Sequence, residues 1–186
     1  MSLTKVSSAM QSDAGWEFIG TVTASASATI AFTNMVAGYD YQYVFENIVG
    51  ATDTNEFMCQ IGVTTPTYRT SGYKTTTSQI NNAGTSISTT DTTQISLVPT
   101  GGQEMGNSTD EALHRVEITF SDPAGTDNKT SWLAFSTLFG HDAQMQFLNT
   151  VGFYQTTAEA NTAVKFYMET GNITSGDIHQ YRRKLS

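Results

Sequence analysis

The sequence predicts an all-β chain: a two-sheet antiparallel sandwich of jelly-roll type, preceded by a short extended N-terminal arm. Three observations carry this expectation. Apolar residues alternate with polar ones in about ten short stretches, the period of a strand with one buried face. These stretches recur at intervals of roughly 8–12 residues with turn residues between them. No stretch shows an apolar stripe at helical spacing. An immunoglobulin-like sandwich is less supported, because Cys59 is the only cysteine and no Cys pair can bracket a core tryptophan.

The elements follow in order. Residues 1–13 are small and polar without strand periodicity, and read as an arm extended against a neighbour, with Leu3, Val6 and Met10 as small anchors. Residues 14–186 read as a single sandwich domain. Trp16 to Thr23 opens it. From Ala24 to Thr33 the row Ala24, Ala26, Ala28, Ile30, Phe32 alternates with serines and threonines, predicting a strand that passes close under another sheet. Further strands are predicted at Tyr39–Val49, Glu56–Val63, Tyr68–Lys74, Gln94–Val98, Leu113–Phe120, Ser131–Phe139, Met145–Tyr154, Ala163–Glu169 and Asp177–Arg182. In the last pair, Gly171-Asn172 and Ser175-Gly176 tolerate positive φ and let the chain reverse. Two polar insertions, Thr75–Thr93 and Thr100–Asp110, read as long loops of the functional or mobile kind. The predicted core is Phe18, Ile30, Phe32, Phe45, Phe57, Ile61, Ile118, Phe120, Trp132, Phe147, Phe153, Phe166 and Met168.

Composition narrows the function. The 186-residue chain carries 14% charged residues, well below the usual share of about 25%. Thr and Ser fill the gap, while 38% hydrophobic and 11% aromatic residues argue against disorder. A net charge of −8 and a sequence pI near 4.6 speak against a free nucleic-acid partner. The one basic run, Arg182-Arg183-Lys184, reads as a solvated tail or as a contact to an acidic neighbouring surface. The N-terminus has no apolar signal region and no window approaches a membrane span, so synthesis in a reducing cytosol without membrane insertion is expected.

Chemistry is sparse. His114, His141 and His179 are far apart in sequence, without Cys or His partners at zinc-ligand spacing. No Gly-x-Ser-x-Gly elbow positions a serine nucleophile. The carboxylates Asp53, Glu56, Asp110, Glu111, Asp122 and Asp127 fall mostly in polar turns, where turn chemistry accounts for them better than calcium or glycosidase roles. Cys59 shares an alternating face with Phe57, Ile61 and Val63, the place of a small buried hydrophobe. The expectation is a protein that is not an enzyme and has no cofactor or metal. Tyrosines are the more informative group. Tyr39, Tyr41 and Tyr43 share one strand face, and Tyr68 and Tyr73 flank Arg69 and Gly72. They read either as the edge of a core or as contact area for a subunit or a sugar.

The order of segments carries a resemblance. Gly15-Trp16-Glu17-Phe18-Ile19-Gly20-Thr21, the small-residue strand ending Phe32-Thr33-Asn34, Tyr39-x-Tyr41-x-Tyr43-Val44-Phe45, Val116–Pro123, the Trp132 strand and the Gly171-Asn172 to Tyr181 ending follow one another. This order resembles the jelly-roll virion structural proteins of tailed bacteriophages, of the capsid-decoration and fibre-tip kinds. The resemblance implies a non-enzymatic decoration, or cement, protein on the virion surface. It implies a homotrimer whose other partners are the major capsid protein or further virion proteins. The alternative it implies is a tail-fibre tip or receptor-binding module that takes host surface glycan. A short arm without heptads favours the decoration.

Overall fold

A computed structural model describes residues 15–63, 67–81, 84, 86–91, 93–98, 104–141, 144–155 and 158–185. The expected arm, with Leu3, Val6 and Met10, lies outside these residues. The strands are β1 (Glu17–Thr23), β2 (Ile30–Phe32), β3 (Tyr39–Gly50), β4 (Phe57–Val63), β5 (Thr67–Tyr68), β6 (Tyr73–Asn81), β7 (Ser86–Asp91), β8 (Ile95–Val98), β9 (Leu113–Ser121), β10 (Ser131–Phe139), β11 (Met145–Tyr154), β12 (Ala163–Met168) and β13 (Ile173–Lys184). Helix among the described residues is confined to one short turn at Thr109–Glu111.

The strands form two antiparallel sheets packed as a sandwich. One has eight strands in the order β1-β13-β3-β9-β10-β11-β6-β7; the other runs β2-β12-β4-β5, with β8 also on β4. Through the first six strands the chain changes sheet at every connection but β4–β5: β1 large, β2 small, β3 large, β4 and β5 small, β6 large. Set the strands from β7 to β11 aside, and β1-β13-β3-β6 faces β2-β12-β4-β5. That is the interleaving of an eight-stranded jelly roll with its two Greek keys. The β9–β10–β11 meander is an insertion that widens the large sheet between β3 and β6.

Phe166 on β12 is the hub of the core. Its ring lies 4.7 Å from Phe45, 5.2 Å from Tyr43, 6.3 Å from Phe32 and 6.4 Å from Phe57, so both sheets meet on it. A second centre gathers Trp132 with Tyr73 at 5.9 Å and Phe120 at 6.5 Å. Ten of the thirteen predicted core residues, all but Phe18, Phe147 and Phe153, are buried.

The departures have physical causes. In the Ala24–Thr33 strand only Ile30–Phe32 joins a ladder. Ala26 sits at φ 51°, which breaks the pleat, and Ala26 and Ala28 are exposed. The segment is crossing between sheets and meanwhile follows the start of β13, with Ala24 N–H on the Gly176 carbonyl (2.8 Å) and Ser27 N–H on that of Ile173 (2.9 Å). Tyr68–Lys74 divides into β5 and the start of β6, with Gly72 at φ 87° redirecting the chain. The described residues of the Thr75–Thr93 insertion form mostly the β6–β7 hairpin and not a long loop, threonine being well suited to strands. At the C-terminus, Gly171 (φ 72°) makes the predicted turn, whereas Gly176 (φ 119°) lies inside β13 as a bulge.

The largest reversal concerns β11. Its inward row is Gln146, Leu148, Thr150 and Tyr154, and Phe147 and Phe153 point out. On β6 the inward row is Tyr73, Thr75, Thr77 and Gln79. Strand β8 explains this polar interior. Among the described residues it pairs with β4 alone, so carbonyls on its other edge would be buried without donors. The hydroxyls of Thr77 and Thr150 both donate to the Ser96 carbonyl at 3.2 Å, and Ser136 donates to that of Leu97 at 3.2 Å. Inner threonines satisfy a buried strand edge, and the apolar residues of β11 are left facing outward.

Candidate functional site

The outer face of β10, β11 and β6 is the most unusual surface among the described residues. β11 presents Met145, Phe147, Asn149, Val151 and Phe153 outward; β10 presents Leu133, Phe135, Thr137 and Phe139. Ladder register places Leu133 beside Val151, Phe135 beside Asn149, Thr137 beside Phe147 and Phe139 beside Met145. Across the other edge of β11, Ile80 of β6 stands beside Phe147 and Ser78 beside Asn149. The Phe135 and Phe147 rings stack at 6.2 Å. Ile80, Leu133, Phe135, Met145, Phe147, Val151 and Phe153 are each 42–64% exposed. With whole side-chain areas of about 150–250 Å², the seven expose roughly 600–700 Å² in one patch, at or above the largest patch of an ordinary monomer.

Relief and charge complete the geometry. A hollow of about 630 Å³ lies at the Val151–Phe153 end, lined also by Lys74, Thr76 and Gln155. Another of about 370 Å³ lies at the Met145–Phe147 end beside Ile80 and Asn81. Charge is confined to the borders. Lys129 Nζ sits 6.0 Å above the Phe153 ring, and Arg115 and Glu117 on β9 pair with each other. Within the patch, the Asn149 Oδ1 is covered and has no hydrogen-bond partner. Such an atom is costly to leave unmet.

The residues expected to bind fall elsewhere. Tyr41, Tyr43 and Tyr73 share their pleat with Phe45 or face Trp132, and all three are fully buried, so none offers a surface. Their hydroxyls are occupied inside. That of Tyr41 accepts from Val36 N–H (2.9 Å), and that of Tyr43 accepts from the Gln180 amide (3.2 Å). That of Tyr73 accepts from Ile61 N–H (2.9 Å) and donates to the Arg69 carbonyl (3.2 Å). Burial pushes the Tyr43 and Tyr73 phenols far up. Tyr39 and Tyr68 are half-buried under cations: Arg182 lies 4.7 Å over the Tyr39 ring, and Lys165 4.9 Å over Tyr68 and 4.6 Å over Tyr167. Burial lowers the Lys165 ammonium accordingly.

The basic run is not a solvated tail. It is the end of β13, paired to Tyr39, Asp40 and Tyr41. Arg182 bonds Glu17 at 2.8 Å; Arg183 bonds the buried Asp40 at 2.7 Å and covers Trp16 at 5.0 Å. Arg183 and Lys184 both remain exposed, and of the three side chains that of Lys184 alone has no described contact. Asp53 serves its own turn, accepting from Thr54 N–H (3.1 Å), whereas Asp122 reaches across the chain and accepts from Gly38 N–H (2.9 Å) in the turn before β3. His179 contacts Thr21 Oγ1 at 2.7 Å, with Glu46 3.7 Å away. Among the described residues no group of three His, Cys, Asp or Glu side chains is arranged to hold a metal ion, and no helix is long and apolar enough to cross a membrane.

An apolar residue on a strand is ordinarily an inward one, so the alternation of β11 by itself assigns Phe147 and Phe153 to the core. A signal was present nonetheless. β10 is apolar on both faces, Trp132, Ala134 and Leu138 inside with Leu133, Phe135 and Phe139 outside, the pattern of a strand covered twice.

No protein-family model and no curated protein matches the sequence. Among solved structures, the chain is similar to a glycosyl hydrolase family protein from Mycobacterium fortuitum at 10% identity and a TM-score of 0.27, over 87% of this chain and 73% of that one. It is also similar to the structure of infectious bursal disease virus, Gx strain, at 9% identity and a TM-score of 0.15, over 94% of this chain and 42% of that one. Likenesses this weak carry no argument about fold or activity.

Proposed function

We propose that this protein is a non-enzymatic structural subunit of a virion, of the capsid-decoration type that the sequence resembles. In this reading it works by covering and being covered. The single observation that carries it is the apolar outer face of β10, β11 and β6. A patch of this area on an otherwise Thr- and Ser-rich chain needs another protein surface against it, and assembly supplies one. The jelly-roll interleaving fits, because a rigid two-sheet frame holds a wide flat face in register. The major capsid protein or another virion protein is the second partner, reached through the arm.

The test is location and attachment. Purified particles of the phage encoding the chain are digested and their proteins quantified by mass spectrometry, and purified protein is sedimented with particles lacking it. Stoichiometric recovery and co-sedimentation are expected. A chain found only in the host lysate, with no binding to particles, ends this reading. Binding of the isolated protein to host glycans but not to capsids would replace it with the fibre-tip alternative.

A further inference from the structure

We infer that the outer face of β6, β11 and β10 pairs with the same face of a second copy, about a two-fold axis through Asn149. This rests on the reading of the protein as an assembly subunit and names the surface that self-associates.

The outward row of β11 is the reason. Met145, Phe147, Asn149, Val151 and Phe153 place one amide at the midpoint, a bulky apolar side chain two residues to either side, and another four residues to either side. A two-fold axis at the midpoint, crossing the strands, lays Met145 of one copy over Phe153 of the other and Phe147 over Val151. An isologous interface requires this reciprocity, residue i on j and j on i. The hollows fall into place. Met145, the most exposed side chain of the patch at 64%, lies over the 630 Å³ hollow beside Phe153 of the opposite copy. A flexible thioether fills such a gap well and makes a favourable contact with a ring.

Asn149 supplies the specificity. Its Oδ1 is covered and unpaired in the single chain, and the register sets the residue between Phe135 on one side and Ser78 on the other, with Phe147 and Val151 two residues away along the strand. An amide is donor and acceptor at once, so two copies meeting on an axis satisfy each other, and its terminal torsion is soft enough to turn either end outward. Length agrees: two asparagine side chains joined end to end by a hydrogen bond of about 2.9 Å span roughly the 10 Å between stacked sheets. A lone buried Asn fixes register in helical assemblies in the same way.

Area and charge agree as well. The apolar patch alone, roughly 600–700 Å², approaches the ~800 Å² per partner of a stable interface, before any border residue is counted. The centre of the face carries no charge: Arg115 and Glu117 pair with each other on the β9 border, and the two lysines of the face, Lys74 beside Phe153 and Lys129 over the Phe153 ring, stand together at one end of it. Two-fold pairing of faces is a different arrangement from the three-fold association that the resemblance implies.

The experiment uses the full chain. Wild type, Phe147→Glu and Asn149→Cys are compared by sedimentation velocity, with Asn149→Cys and a Thr21→Cys control treated with a short bis-maleimide. Cys59 is buried and does not compete. The expected result is a wild-type dimer, cross-linked at position 149 and not at 21, and on the order of 100-fold weaker in Phe147→Glu with its melting temperature retained. Should Phe147→Glu not fold, Phe135→Ser on the neighbouring strand is read instead. A wild-type monomer at high micromolar concentration overturns the pairing, and so does a trimer or a dimer that cross-links at 21 rather than 149. A monomer that still decorates particles sinks this inference alone. A dimer cross-linked at 149 that never locates to particles sinks the proposed function and leaves the pairing standing.

Discussion

At the scale of single residues, this molecule stores its polar chemistry indoors. Tyr43 and Tyr73 are buried, and burial also pushes Tyr167 from an ordinary 10.0 up to about 12. A phenol whose pKa rises on folding contributes stability that is complete below the unfolded value and lost as pH climbs through the folded one. Urea midpoints should therefore hold steady up to about pH 10 and fall steeply toward pH 12, with phenolate absorbance lagging behind that of the unfolded chain. A native protein whose tyrosines all ionise near the ordinary value would contradict their burial. Cys59 follows the same logic. Burial holds its thiol well above the usual range, so a thiol reagent should leave it untouched until denaturant is added. Prompt labelling in buffer would place it at the surface. The face holding Cys59, Phe57 and Ile61 was legible in sequence because all its neighbours are apolar. The inward turn of Tyr41 and Tyr43 was not, since their hydroxyls are met by Gln180 and the Val36 N–H, partners that no local pattern marks.

At the scale of elements, alternation reveals a strand but does not say which of its faces is inside. For β9 and β12 the apolar face is the inner one and the sequence is enough. For β6 and β11 the inner face is decided by β8, whose free carbonyls need the Thr77, Thr150 and Ser136 hydroxyls. That requirement is non-local and leaves no trace in either strand's own pattern. It makes a prediction. Thr150→Val preserves shape but removes a donor from the Ser96 carbonyl and the 2.8 Å contact with Thr77, and should cost about 1–3 kcal/mol in urea unfolding. Outward Val151→Thr, one residue away, should change stability by less than about 0.5 kcal/mol while weakening self-association. Equal costs at the two positions would mean the sides of β11 are assigned wrongly. Gly152 tests the same packing by size. A Cβ there would stand 2.2 Å from the Lys74 carbonyl oxygen and 2.7 Å from the Trp132 ring, so Gly152→Ala should lower the melting point distinctly, by the equivalent of about 1–3 kcal/mol.

At the scale of the whole molecule, the sandwich was legible because strands, turns and the lack of helical stripes agree along the chain. The meander wedged between β3 and β6 was not, because strand order across a sheet depends on long-range pairing. The arm extends the argument beyond the domain. Residues 1–13 have no amphipathic face and too few apolar residues to form a core of their own. The chain enters the fold at β1, at the opposite edge of the large sheet from β7 and several strands away from the apolar patch on β10 and β11. At roughly 4.8 Å per strand and 3.3 Å per residue, an extended arm is long enough to lie along a neighbouring subunit, with Leu3, Val6 and Met10 as its anchors. On the proposed reading the two roles are separable: the sheet face for the second copy, the arm for the particle. Deleting Met1 to Asp13 should leave the melting temperature and the sedimentation of the free protein nearly unchanged while weakening its attachment to particles by tenfold or more. If the truncated chain binds particles as tightly as the full one, the arm is no tether and the attachment surface lies on the folded domain. If truncation instead dissolves the self-association, the arm itself covers the apolar face, and the two-fold pairing at Asn149 falls with it.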